Sequence, residues 1–422
     1  MLDWLSVDGK KLLLTRILRT FAYGYLAAAL GLYLDRLGLT PTEIGVVFTA
    51  AIAGSALMTV FWSIVADRYG RRRTVATMAL LMAVGGIAFA LTSSLLVLIL
   101  AAFTGTISAT SSEVGVFQTV EQAILPQTAP NEKRTWLFSI YNTIANVAGA
   151  FGSLFAASVG FFTSLGLTGA DAYRPLFVLY AAIGLANFLI FLTLTDKVEL
   201  AHVDGARRFI GIHRSTTTVA KLSALFGLDA FAGALVVQSI VAYWFFLRWG
   251  LQISELAVIF FWVGLLSGAS LLVAGWLAAR FGLLNTMVFT HLPSNVLLLL
   301  VPLAPSASLA IAFFLLRMSI SQMDVPTRQA YTMAVVRPDE RSAAAGVTGV
   351  ARSVGASISP LLATMLVGSA GLMSVPFFLA GGLKIAYDVL LYRAFSSSKS
   401  SREANDRVSL LSAGDEDRRE VP

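Results

Sequence analysis

Along most of this chain, apolar runs of about twenty residues or more alternate with short polar separators. A run of that length spans a hydrocarbon core of about 30 Å as a helix, because each residue rises about 1.5 Å and its backbone polar groups are satisfied within the segment. The pattern predicts twelve crossings, at residues 12–34, 41–65, 75–93, 95–125, 135–161, 175–195, 218–247, 253–277, 285–304, 307–335, 342–368 and 371–394. The separators are rich in turn formers, as in Gly38 to Pro41, Ala304 to Ser308 and Gly368 to Gly371. One separator, Asp196 to Thr217, is long, and it falls at the middle of the chain. An all-α integral membrane protein is therefore expected.

The second half repeats the first. With a shift of 212, Arg36, Gly38, Leu39 and Glu43 fall on Arg248, Gly250, Leu251 and Glu255, and Ser55 falls on Ser267. The same shift carries Arg68, Gly70 and Thr74 onto Arg280, Gly282 and Thr286. With a shift of 208, Thr119, Pro130 and Glu132 fall on Thr327, Pro338 and Glu340. These matches lie at equivalent turns of the topology, which predicts two pseudo-symmetric six-helix bundles in the same orientation. The expected domains are an N-terminal bundle (1–195), a linker (196–217), a C-terminal bundle (218–395) and a tail (396–422) whose mixed polar sequence predicts disorder.

Charge adds orientation. The N-terminus, residues 66–74, 126–134, 196–217, 278–284 and 336–341, and the tail hold nearly all the loop Lys and Arg. The intervening loops hold Arg36, Arg174 and Arg248, so both termini are expected in the cytoplasm. Composition agrees with a membrane protein: of 422 residues, 57% are hydrophobic and 13% charged, against about 25% charged in soluble domains. The basic pI of about 9.7 follows from this topology, and nucleic acid is not expected as a partner. The start, MLDWLSVDGKK, carries acids early and no short apolar core, so the first helix is read as its own insertion signal. Cysteine is absent, which excludes disulfides and thiolate metal sites.

Two stretches at equivalent turns carry the strongest motif. Ser63 to Arg72 reads SIVADRYGRR, and its faded copy retains Gly275 and Gly282 but has Ala279 in place of the acid. The first resembles the GxxxDRxGRR loop of the major facilitator superfamily, with Ser63 at the first glycine. PNEKR (Pro130 to Arg134) and PDER (Pro338 to Arg341) resemble the matching loops before the fifth and eleventh helices. The resemblance covers about residues 12–395. It implies a monomeric secondary transporter of a small molecule, working by alternating access, multi-pass in the cell membrane and in contact with lipid. It also implies a conformational latch at Asp67, Arg68, Gly70 and Arg71, whereas Arg72 reads as topological.

Charges within the crossings are the candidates for cargo and coupling, because a charged side chain at a helix centre costs about 2.5–3.5 kcal/mol on insertion scales. Glu113, Asp229 and Asp324 are the candidate proton-coupling acids, Glu113 first because no opposite charge lies within one turn of its helix. Arg317, Gln322, Arg328, Arg352, Gln118, Asn142 and Tyr23 are candidate cavity residues, with Asn146, Gln238 and Tyr25 in support. Asp324 and Arg328 stand four apart with Pro326 between them, which reads equally as a transport pair or as mutual neutralisation across a bend. Glu121, Arg16 and Arg19 either pair near the cytoplasmic mouth or snorkel, with snorkelling favoured for Arg16.

Other signals are structural. Thr40-Pro41-Thr42-Glu43 reads as a helix cap, and Glu255 as its copy. His202, His213 and His291 are isolated and show no metal spacing. No GxxxxGK[ST] loop and no catalytic constellation is present, so neither an ATPase nor an enzyme is expected, nor any cofactor. The expected function is proton-coupled carriage of a small organic solute, export being the first expectation. Uptake or uniport of an anionic metabolite is the alternative, beside a non-transporting sensor of the same fold. AGAFGSLF (Ala148 to Phe155) lacks the proline of the family's drug–proton antiporters, which tells against multidrug export.

Overall fold

The computed structural model describes residues 4–111, 115–130, 133–199, 215–337, 340–369 and 371–396. Among the described residues the regular structure is entirely helical. In chain order the helices are α1 (Val7–Arg36), α2 (Pro41–Tyr69), α3 (Arg71–Leu91), α4 (Leu95–Phe103), α5 (Val116–Ile124), α6 (Arg134–Phe155), α7 (Ser158–Ser164) and α8 (Arg174–Leu192). They continue as α9 (Thr216–Ala234), α10 (Gln238–Trp249), α11 (Ile253–Phe281), α12 (Leu283–Leu300), α13 (Ala307–Ser321), α14 (Asp324–Val335), α15 (Arg341–Val367) and α16 (Val375–Phe395).

Eleven stretches of described residues are long and apolar enough to cross a membrane. Three of them join two helices: α6 with α7, α9 with α10, and α13 with α14. The crossing expected at 95–125 is carried by the short helices α4 and α5, separated by a segment that includes residues 112–114, outside the described set. Its sequence explains the break, since Thr104 to Gly115 reads TGTISATSSEVG, a run of poor helix formers. Large apolar side chains such as Leu57, Phe61, Trp262, Leu272 and Trp276 remain exposed along the helices, as a hydrocarbon surround requires.

Local signals fix several helix ends. Thr40 and Glu43 form a complete capping box, with Thr40 N donating to Glu43 Oε2 at 2.8 Å and Glu43 N donating to Thr40 Oγ1 at 3.3 Å. Glu255 repeats half of it, accepting from Gln252 N at 2.8 Å. In the α13–α14 crossing the helix opens at Gln322 and Met323. Gln322 lies four residues before Pro326, where the ring displaces a carbonyl, so the predicted bend falls one turn ahead of the proline.

The chain divides into two compact units. The first holds Met1–Gly205 with Val236–Leu265 and Ser357–Met373. In it α1 packs on α6, α8 and α10, and α3 on α8. Ser239 at the start of α10 donates to Ala27 O at 2.9 Å, which ties that helix to α1. The second unit holds Ala206–Leu235, Leu266–Ala356 and Ser374–Pro422. In it α12 packs on α13, α14 and α16, and α16 on α9.

Candidate functional site

In the second unit, charged side chains from three helices converge on Asp229 of α9. Lys384 Nζ on α16 lies 2.6 Å from Oδ1, and Arg328 Nη1 on α14 and Arg352 Nη1 on α15 lie 3.1 Å and 3.2 Å from Oδ2. Arg328 Nη1 also meets Asp324 Oδ2 at 2.7 Å, so the predicted i,i+4 pair forms and is extended across the bundle. Beyond Lys384, its Nζ stands 3.5 Å from His291 Nε2 on α12. The other ring nitrogen, Nδ1, lies 2.9 Å from Asp388 Oδ1, and Asn295 Nδ2 donates to Asp388 Oδ2 at 3.0 Å.

A close helix contact brings Arg352 to Asp229. A Cβ built on Gly355 would stand 2.3 Å from the carbonyl oxygen of Gly227, so only glycine lets α15 approach α9 this closely. Asp229 is two residues beyond Gly227, and Arg352 three before Gly355. All members are buried except Arg352, whose side chain is 34% exposed. Buried charges are tolerated when paired and hydrogen-bonded, and three cations sharing one carboxylate meet that condition.

The first unit holds a related arrangement of opposite polarity. Arg19 on α1 pairs with Glu121 on α5 at 2.7 Å, both fully buried, and Tyr141 on α6 donates to Glu121 Oε2 at 2.7 Å. Arg19 also lies over the Phe117 ring at 4.3 Å, and Arg16 over the Tyr141 ring at 4.0 Å. Arg16 is 3% exposed, which corrects the snorkelling expectation: the stack on Tyr141 holds it inside the bundle. By the repeat, α1, α5 and α6 correspond to α9, α14 and α15. Each unit thus joins its equivalent helices through an ion pair, with acid and base exchanged.

At the arginine-rich turn, α2 ends and α3 begins around Gly70, whose φ of +103° suits a residue without a side chain. The start of α3 is capped by Glu199, which accepts from Arg71 N at 2.6 Å and Arg72 N at 3.0 Å. Arg71 is buried and donates to Ala123 O at 3.2 Å, Arg72 reaches Leu194 O at 3.0 Å and Asp196 at 3.3 Å, and Arg68 is exposed. The Asp67 side chain lies outside the described residues, as does Glu113.

The other sequence candidates are dispersed. Arg317 on α13 sets Nη1 3.0 Å from Met318 Sδ, and Gln322 is half-buried at the end of that helix. In the first unit Tyr23 is buried with its ring 6.3 Å from that of Tyr180, Gln118 is half-buried and Asn142 is exposed. Lys384, Asp388, Asn295, His291 and Glu199 were not among the sequence candidates. Lys384 and Asp388 stand four apart in an apolar helix, and that spacing was the available signal.

A bundle of apolar helices with internal charge clusters and repeated halves defines a membrane carrier that works by alternating access. The Major Facilitator Superfamily profile matches residues 12–321, more than half of the chain, and the chain belongs to that family. It is 24% identical to the uncharacterized membrane protein YJR124C of Saccharomyces cerevisiae, covering 92% of this chain and 93% of that protein. Among solved structures it resembles a bacterial homolog of the human lysosomal transporter Spinster, with a TM-score of 0.68, 17% identity and coverage of 96% and 94%. It also resembles a D-xylose-proton symporter, with a TM-score of 0.71, 14% identity and coverage of 93% and 99%.

Proposed function

We propose that this chain is a proton-driven secondary carrier of a small organic anion. The observation that carries this reading is a charge imbalance inside the helices of the second unit. Among the described residues, leaving aside the exposed Lys221 and the helix-end Arg280, Arg341 and Arg393, the cations Arg317, Arg328, Arg352 and Lys384 stand against Asp229, Asp324 and Asp388, so four cations meet three carboxylates. Arg317 is the surplus: among the described residues its Nε is buried without a hydrogen-bond partner, and its Nη1 rests on a thioether. An unmatched cation inside a membrane helix costs about 2.5–3.5 kcal/mol, and an anionic group on the cargo offsets that cost. Arg352 adds a partly exposed guanidinium, whose fork fits a carboxylate or phosphate.

Glu113, Asp229 and Asp324 are the acids proposed for coupling, of which Asp229 and Asp324 are held by cations in the described arrangement. Asp67, Arg68, Gly70 and Arg71 are proposed as the latch, supported by the glycine turn at the start of α3. The test is movement of labelled anionic, cationic and neutral solutes in proteoliposomes, with and without a proton gradient. Gradient-driven movement of an anion is expected, with KM raised roughly tenfold or more in Arg317→Gln, the loss of a charged hydrogen bond. Movement confined to cationic or neutral solutes rejects the anion, and movement indifferent to the gradient rejects the coupling.

A further inference from the structure

We propose that His291 and Asp388 form a buried proton-binding site, read by the rest of the cluster through Lys384. Both residues are buried, on α12 and α16, away from the partly exposed Arg352 edge. With Asp388 ionised, its Oδ1 holds the imidazole proton on Nδ1, which leaves the Nε2 lone pair facing the Lys384 ammonium at 3.5 Å. A proton arriving at Nε2 meets a cation already in its place. Proton and ammonium therefore exclude one another at that nitrogen.

The same ammonium lies 2.6 Å from Asp229, so displacing it also changes the charge held against Arg328 and Arg352. One added proton leaves the cluster one positive charge richer, the condition that recruits an anion. The neighbouring charges support this route. From α16 the ring meets Lys384, Asp388 and the edge of Tyr387, at 6.0 Å between centroids. On α14, Asp324 and Arg328 are engaged with each other, and Arg328 and Arg352 of α15 with Asp229 of α9. Arg317 of α13 is turned to Met318. Lys384 and Asp388 are thus the charges within hydrogen-bonding reach of the imidazole, at opposite nitrogens.

The role in transport rests on the proton-driven reading above, whereas the binding of the proton is measurable without any cargo. The experiment is a pH titration of the imidazole nitrogens in the full chain, labelled with ¹⁵N-histidine in lipid nanodiscs. The chain has three histidines, and the signal lost in His291→Asn identifies the one of interest. Lys384→Met is expected to move the His291 midpoint at least one pH unit toward alkali, and Asp388→Asn at least one unit toward acid. A midpoint unmoved by Lys384→Met, or moved toward acid, overturns the proposal, as does an imidazole fixed in one protonation state from pH 4 to 9 in wild type and Lys384→Met alike. Should Lys384→Met fail to give monodisperse protein, Lys384→Gln, which removes the charge and keeps a polar side chain beside Asp229, provides the second test. It is expected to move the midpoint toward alkali, and no movement there counts equally against the site. Proton binding found here beside a failed anion assay would reject the cargo and keep the site.

Discussion

Asp229 carries more electrostatic responsibility than any other side chain in the second unit, because three cations from three helices depend on it. Removing one partner of a buried pair leaves an uncompensated charge, at a cost of about 3–5 kcal/mol. Asp229→Ala is expected to lower the thermal transition of the purified protein markedly, while Lys384→Met, which leaves two cations on the carboxylate, is expected to cost much less. Equal losses in the two variants would show that the carboxylate is not the hub. The sequence made Asp229, Arg328 and Arg352 visible one by one, as charges in apolar helices. It left their meeting hidden, since Lys384 and Asp229 are 155 positions apart and nothing local encodes that contact. Glu199 was hidden for the same reason: its value lies in the two amides of α3 that it faces, 128 and 127 positions earlier.

At the scale of helices, glycine sets how closely two axes approach. Gly355→Val puts side-chain atoms where the Gly227 carbonyl stands and is expected to separate α15 from α9, taking Arg352 away from Asp229. Cross-linking between cysteines placed on α9 and α15 should fall sharply, and undiminished cross-linking would show that the contact tolerates a side chain. The Thr40 cap offers a milder perturbation at the start of α2: Thr40→Ala is expected to cost about 1 kcal/mol, read as a small drop in thermal stability. Both α2 ends were legible, because caps and turn glycines are written in adjacent residues. The interrupted crossing between α4 and α5 was not, because a long apolar average concealed the serines, threonines and glycines within it.

For the whole molecule, apolar periodicity and the DRYGRR turn were enough to indicate the family, because both depend on many residues rather than one contact. Sidedness is open to direct measurement, since the chain has no cysteine of its own. Arg248→Cys is expected to react with a membrane-impermeant maleimide from outside intact cells, and Arg280→Cys only after the membrane is opened. Reversed labelling would invert the orientation read from the Lys and Arg distribution.

The two units also share small clasps that no charge reading anticipated. Arg134 Nε donates to Pro126 O at 3.0 Å and Arg341 Nε to Met333 O at 2.7 Å, each reaching a carbonyl eight residues back. The clasp is the same in both halves, whereas the deeper ion pairs have exchanged sign. Backbone geometry is thus matched at equivalent turns, whereas the charge carried by the matched side chains is not. An alignment of chains of this family is therefore expected to keep the arginine clasp in both halves while the polarity of the inner pair varies, and a clasp lost as often as the pair would undo that distinction.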